Sequence, residues 1–268
     1  MKEITDISII DLAIGFSALL IPLFFFWYYR IGIIKETLIS VARMVIQLSL
    51  VAVYLEWIFK QNNAYLNSLW VLVMIVVSVF TIMKRVKLRW KRFLIPLLSA
   101  SIIAVLIVDS FFLGVVIRLE YVFDARYFVP ITGMILGNAL GHTVVGLDTY
   151  FNGLKEKADL YYFLLSNTAN RKLAIRSYIA EAIKKGLNPL IATTSVMGLI
   201  SLPGMMTGQI LGGSSPAVAI KYQIMIMLAI FVGCTINLVA SIFFSNFFIF
   251  DAYGVLKKKL MKEGKQKK

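Results

Sequence analysis

The side chains with the most chemical reach sit in apolar surroundings. Met134, Asn138 and His142 recur at intervals of four, which puts a thioether, an amide and an imidazole on one stripe of a helix. That donor set suits a soft or borderline divalent cation. A second reading fits the same spacing: Asn138 and His142 as hydrogen-bond glue between helices, with Met134 as packing. Either use requires partners or water, so the stripe is expected to face the interior of a bundle. A further group lies in residues 198–213, which read GLISLPGMMTGQILGG. Pro203 and Gly204 free backbone groups there. In lipid such a break is tolerated only where it is buried in protein or lines a cavity, and discontinuous helices of this kind mark transport sites. Met205, Met206, Thr207 and Gln209 would line it. A kink packed with methionine is the other reading. His142 and Met206 are the candidate metal contacts.

Further polar groups interrupt apolar runs. Arg43 and Gln47 are four apart, with Arg43 close enough to a membrane edge to snorkel. Glu56 and Asp109 fall near the outer interface. Other chemistry is excluded by counting. His142 is the one histidine and Cys234 the one cysteine, so HExxH zinc chemistry, two-histidine sites, an internal disulfide and cysteine clusters are all ruled out. No GxxxxGK[ST] segment occurs, and Gly264-Lys265 is followed by Gln266. The chain has no phosphate-cradling loop, so any ATP-driven work needs an ATPase on another chain. Ser214 and Ser215 invite a serine hydrolase, but nothing places His142 beside them as a base. The chain reads as no enzyme.

The elements that position these residues follow from composition. Of 268 residues, 59% are hydrophobic and 16% charged, and the mean hydropathy is +0.82. A water-soluble domain of this size cannot hide that much apolar surface. The fold class is therefore all-α and polytopic, with residues 1–268 forming one transmembrane domain. An apolar stretch of about 20 residues spans a bilayer. Seven such stretches are read, at 9–29, 38–59, 66–83, 93–117, 128–147, 190–211 and 217–250. The last is long enough to tilt or to begin as a re-entrant piece. The first is too long for a cleaved signal peptide and lacks a basic flank. Lys and Arg divide 23 to 5 between alternate connections, which predicts an outside N-terminus and a cytoplasmic C-terminus in a multi-pass cell-membrane protein. The net charge of +14 is explained by topology and contact with anionic lipid, with no role left for nucleic acid.

One connection is long enough to work in water, residues 151–189 on the cytoplasmic side; the basic tail, 251–268, is the other cytoplasmic segment. Ile175, Tyr178, Ile179, Ala182 and Ile183 repeat with helical spacing, Glu181 and Lys185 form an i,i+4 pair, and Pro189 marks a turn or the entry to the next span. Such a helix either lies on the membrane or docks into a cytoplasmic partner.

The run GLISLPGMMTGQILGG, continuing through Ser214-Ser215-Pro216 to residues 219–225, resembles the signature of FetB-type ABC transporter permeases. The likeness extends to ISVARMVIQLSLVAVYLEWIF at 39–59 and VPITGMILGNALG at 129–141. It implies a permease subunit that pairs as a homodimer and works with a separate ABC ATPase subunit, which uses ATP and Mg while this chain binds no cofactor. Bacterial members are linked to iron export, plant relatives to aluminium tolerance and sugar-nucleotide transport, so the resemblance leaves the cargo open. It adds Tyr222 and Gln223 to the pathway candidates and makes Arg171, Arg176, Glu181 and Lys185 the coupling candidates. One departure stands out: relatives carry a Leu-Gly-Ala-Thr-Pro-like turn where this chain has Leu165-Ser166-Asn167-Thr168-Ala169-Asn170-Arg171. An ATPase-independent secondary transporter is the remaining alternative.

The charge division makes a topology test direct. Cysteine labels at Asn62 and Ser214 are expected to react from outside intact cells, and a label at Lys265 only after permeabilisation. Reaction at 265 in intact cells would reverse the orientation.

Overall fold

The structure is a computed structural model that describes residues 7–200, 202–251 and 253–257. Glu3, Asp6 and the basic residues after Lys257 lie outside the described residues. The chain forms α1 (Ile9–Ser17), α2 (Leu20–Tyr28), α3 (Ile34–Gln61), α4 (Ala64–Arg85), α5 (Trp90–Asp109), a π-helical segment (Ser110–Val116), α6 (Ala125–Glu156), α7 (Ala158–Thr168), α8 (Arg171–Ser195), α9 (Gly204–Leu211) and α10 (Pro216–Ile249). Among the described residues there is no strand; an antiparallel bridge, Phe250 to Leu256, folds the chain back after α10.

Polar residues punctuate these helices. Ser8 opens α1 with a capping box, its side chain accepting from the Asp11 N–H while Asp11 accepts from the Ser8 N–H. Asn63, Asp124 and Asn170 cap α4, α6 and α8 through side-chain oxygens. Asn62 ends α3 in the left-handed conformation, φ 37°, which asparagine tolerates well, and its Oδ1 accepts from the Ala125 N–H at 2.9 Å.

Six helical stretches are long and apolar enough to cross a membrane: Ile9–Tyr28, Ile34–Gln61, Ala64–Arg85, Trp90–Val116, Ala125–Glu156 and Pro216–Ile249. The protein is a polytopic all-α membrane protein. The stretch read as the sixth of seven spans, 190–211, with a break at Pro203 and Gly204, is divided. α8 runs straight through Pro189 to Ser195, the chain leaves helical geometry, and α9 resumes at Gly204. Pro189, read as a turn or the entry to the next span, lies inside α8; beyond that helix Gly198 stands at φ +85° and Pro203 precedes α9 in an extended conformation. A proline removes one N–H, a loss a packed helix absorbs; a positive φ followed by a proline stops the helix outright. The final span, by contrast, is in one piece. α10 is continuous over 34 residues, about 51 Å at the helical rise, and must tilt or project from a core of about 30 Å.

α10 is the central post, packed against α5, α6, α8 and α9. Leu238 of α10 is fully buried and sits between Gly146 of α6 and Gly186 of α8. A Cβ on Gly146 would collide with the Leu238 side chain. One on Gly186 would lie 2.7 Å from Leu238 Cδ2, 3.1 Å from the His142 carbonyl oxygen and 3.2 Å from Gly146 Cα. The last two are backbone atoms, so the helices themselves would have to part. Polar links join the same post: Ser101 donates to Asn237 at 3.2 Å and Tyr150 to Asn246 at 2.6 Å. By contrast the spans Ile9–Tyr28 and Ile34–Gln61 bury nothing in their apolar windows.

Gly186→Ala is expected to cost about 1–3 kcal/mol through overpacking, read as a lowered melting temperature in detergent. Gly137→Ala and Gly141→Ala, whose added methyls meet nothing within 4 Å, are expected to leave the isolated chain unchanged or raise its stability by up to about 1 kcal/mol through helix propensity. Equal losses at all three would refute the packing assigned to Gly186.

Candidate functional site

The break between α8 and α9 opens onto α10 and leaves a cavity of about 460 Å³. Its wall brings together three methionines from three stretches of chain: Met197 after α8, Met206 of α9 and Met227 of α10. Thr194, Gln223 and Pro203 complete the polar and angular part, and Leu202, Ile220, Ile224, Leu228 and Phe231 make most of the remainder apolar. Met206 and Gln223 are buried. Gln223 and Met227 are four apart on α10, so one helical face presents both an amide and a thioether. The Thr194 hydroxyl is turned back onto the Leu190 carbonyl at 2.8 Å. Of the residues expected here from sequence, Met206 and Gln223 line the cavity. Met205, Gln209 and Tyr222 are half-buried and do not. Met197, Met227 and Thr194 were missed; the i,i+4 spacing of Gln223 and Met227 was the available signal.

The stripe Met134, Asn138, His142 does not face the interior of its own bundle. Asn138 is exposed, and so are Gly137 and Gly141 beside it. The Asn138 amide donates to the Met134 carbonyl of its own helix at 2.8 Å, so it joins no second helix. The reason is that α6 spends its other faces on α4, α8 and α10, leaving this stripe outward. His142 is half-buried, and its Nδ1 lies 2.8 Å from the Gly186 carbonyl oxygen of α8. A carbonyl only accepts, so Nδ1 carries the proton. In the neutral ring Nε2 is then left with its lone pair. A backbone carbonyl that fixes the tautomer in this way is also the usual support of an imidazole ligand. His142 does not line the methionine cavity, so the structure does not join it to Met206. Arg43 and Gln47 are both exposed on α3.

The long connection folds as a helical hairpin. α7 ends at Ala169 in the left-handed conformation, φ 49°. Ile175, Tyr178 and Ala182 of α8 are buried, as their spacing predicts, yet their face is covered by the protein itself. α8 packs on α6 and α7, and the Tyr178 hydroxyl donates to the Lys157 carbonyl at 2.9 Å. The apolar face is thus spent internally, and it lies neither on a membrane surface nor free for a partner. Arg176, Lys184 and Lys185 are exposed, and so are Leu173 near the start of α8 and Ile191 near its end. Glu181 pairs with Lys185 at 3.0 Å and Lys157 at 3.9 Å. The Lys185 hydrogen bond, helped by both positive charges, holds the Glu181 carboxyl below the usual range. The Arg171 guanidinium lies 5.4 Å over the Phe250 ring, tying the start of α8 to the end of α10.

With this geometry in view, residues 9–250 match the family described as "Uncharacterised protein family (UPF0014)". The chain belongs to that family. Among its relatives, a protein of Escherichia coli named probable iron export permease protein FetB is 35% identical over 202 residues, 74% of each chain. Protein ALUMINUM SENSITIVE 3 of Arabidopsis thaliana is 32% identical over 77% of this chain and 74% of its own length. The UPF0014 membrane protein YjkA of Bacillus subtilis is 28% identical over 81% and 86%. No solved structure matches this UPF0014 chain.

The His142 bond gives a stability test. His142→Ala is expected to destabilise the chain by about 1 kcal/mol, the worth of one such bond. His142→Asn places an amide N–H where Nδ1 stood and is expected to recover most of that loss in detergent melting curves. Equal loss in both would mean the Gly186 bond does not hold α8 to α6.

Proposed function

We propose that this protein is the membrane-spanning subunit of an ABC-type exporter, driven by an ATPase on a separate chain, and that its cargo is iron or a related metal ion. The observation that carries the proposal is the 35% identity to a protein named as a probable iron export permease, in a chain that itself lacks any phosphate-cradling loop. The wall of the α8–α9–α10 cavity supports it. Thioethers and an amide accept soft or borderline cations, and among the described residues no group of three or more His, Cys, Asp or Glu could hold a metal ion as a resident. A cation would therefore meet this chain in passage. The exposed polar face of α8, with Arg176, Glu181 and Lys185, is the surface offered to the ATPase. Pairing of two copies is supported by the open stripe of Gly137, Asn138 and Gly141, where a second helix can approach closely. His142 Nε2 would then act from the edge of that stripe.

A second reading rests on the mainly apolar cavity wall: an ABC permease for a small uncharged solute. The two differ in what the thioethers must do.

The double variant His142→Asn with Met206→Leu keeps the Nδ1-type donor and nearly the volume of Met206, so assembly with the ATPase is expected to persist. In vesicles holding the chain with its ATPase and loaded with Fe²⁺, efflux is expected to fall at least about tenfold, a loss of some 1.4 kcal/mol at the barrier. Full Fe²⁺ efflux from well-assembled double variant would remove both side chains from the pathway, and no Fe²⁺ efflux from the wild type would favour the apolar-solute reading.

A further inference from the structure

Asp109 is 3% exposed and stands at the junction where α5 gives way to the π-helical segment, a geometry that is rare and gathers at functional sites. Its Oδ2 lies 2.6 Å from Thr132 Oγ1, and that same oxygen lies 2.6 Å from the Phe128 carbonyl oxygen. Two short contacts along three oxygens require two protons between them. The Thr132 hydroxyl supplies one, and the carbonyl has none to give. If Thr132 donates to Asp109, its contact with Phe128 O becomes a bare approach of two oxygen lone pairs. If Thr132 donates to Phe128, as threonines commonly do one turn back along a helix, the second proton must belong to Asp109. The other carboxyl oxygen points the same way. Oδ1 is buried and has no hydrogen-bond partner. An ionised oxygen left so is far more costly than the carbonyl oxygen of a neutral acid.

No cation offsets a charge there. Asp109 takes part in none of the ion pairs among the described residues. The titratable groups on the stretches packed around it are Tyr65 at the start of α4, Arg118, Glu120, Tyr121 and Asp124 in the connection before α6, Arg126 and Tyr127 in the first turn of α6, and Cys234 on α10. None of them hydrogen-bonds Asp109, and none lines the cavity beside it.

We propose that Asp109 is a proton-binding site within the spanning bundle: in this conformation its carboxyl is an acid that donates to Thr132, which donates to the Phe128 carbonyl. Thr132 is seven residues into α6, about 10 Å from its start, so the site lies toward the end of the bundle opposite the basic connections. Beside it is a cavity of about 220 Å³ whose wall includes Ser68, Ser110, Val122, Phe123 and Phe128. Ser68 and Ser110 are exposed on the bundle surface, so one layer of side chains separates the site from whatever bathes this end of the bundle. Phe123 closes that layer: the Asn67 amide donates to its carbonyl at 2.7 Å and its ring packs edge-on to Phe128 at 5.4 Å. When this wall parts, water takes the proton, giving a carboxylate and hydronium; when it closes, the carboxylate takes one back. Opening and closing of this end of the permease therefore carries one proton out of and into the bundle. This goes beyond the transport reading and does not depend on its cargo.

Infrared spectroscopy of the purified full chain in lipid tests it. At pH 7 the wild type is expected to show a carboxylic-acid C=O stretch that is absent in Asp109→Asn, whose amide can still donate to Thr132. Thr132→Val, which removes the acceptor of the acid proton, is expected to shift the band without abolishing it, and this comparison assigns the band should Asp109→Asn not fold. Phe123→Ala is expected to speed deuterium exchange of the acid proton and to lose part of the band at neutral pH. A wild-type spectrum with no acid band that Asp109→Asn or Thr132→Val alters would show an ionised Asp109 and overturn the proposal. An unchanged band with unchanged exchange in Phe123→Ala would overturn the sealing role of the wall.

Discussion

The approach of α6 to α8 at Gly146 and Gly186, with Leu238 of α10 inserted between them, is the contact on which the rest of the bundle depends. Within lipid, helices gain nothing by hiding apolar surface from one another, so close packing and interhelical hydrogen bonds decide which arrangement holds. Two glycines let two backbones meet, and one leucine fills the hollow they leave. At that separation the Gly186 carbonyl comes within 2.8 Å of His142 Nδ1; with a side chain at 186 it would not. The same contact sets the line of α8, and so fixes where α8 ends against α10. The methionine cavity lies at that end. An isolated hydrogen bond inside a membrane is worth about 0.6 kcal/mol on average, too little to orient a 25-residue helix by itself. The glycine–leucine packing has to come first, and the histidine bond then follows from it.

Most of the fold was legible because length and apolarity suffice to mark a span. The stretch read at 38–59 became Ile34–Gln61, longer at both ends because Lys35, Glu36, Lys60 and Gln61 continue helical hydrogen bonding beyond the apolar part. The buried face of α8 was also legible in Ile175, Tyr178 and Ala182. What covers that face was not, since periodicity tells which side is buried and is silent on the neighbour. Glycine spacing is silent in a related way. Gly133, Gly137 and Gly141 form a visible repeat, yet a Cβ on Gly137 or Gly141 would meet nothing within 4 Å, whereas the close approach uses Gly146 and Gly186. Those two are 40 positions apart and belong to no repeat, so no local pattern announces them.

Sequence reasoning fared similarly at the site. Met206 was readable because a helix break within an apolar run demands a lined cavity, whereas Gln223 entered only with the family resemblance. Met197 and Met227 reach the same wall from across the break and from another helix, a coincidence that only tertiary packing creates. Asp109 was read as a group at the outer interface; its burial follows from the π-helical turn after it and from Thr132, neither of which has a sequence signature. Turns carried their own surprise. α7 ends with Ala169 in the left-handed conformation, an arrangement that costs alanine about 1 kcal/mol and glycine none.

The wall of the methionine cavity sets a limit on what any occupant can gain there. Thioethers and an amide are neutral, so a cation entering it would keep its full charge in a largely apolar surround, a large penalty that only coordination offsets. A resident metal site answers that penalty with anionic or imidazole ligands held in a fixed cage. Here the available donor atoms come from Met197, Met206 and Met227 on three stretches of chain, with the break between α8 and α9 separating the first two. A pathway needs binding strong enough to admit a cargo and weak enough to release it. Neutral ligands divided across a break meet that need, because a shift of α9 against α10 would separate the donors without breaking the α6–α8 contact that holds the bundle together.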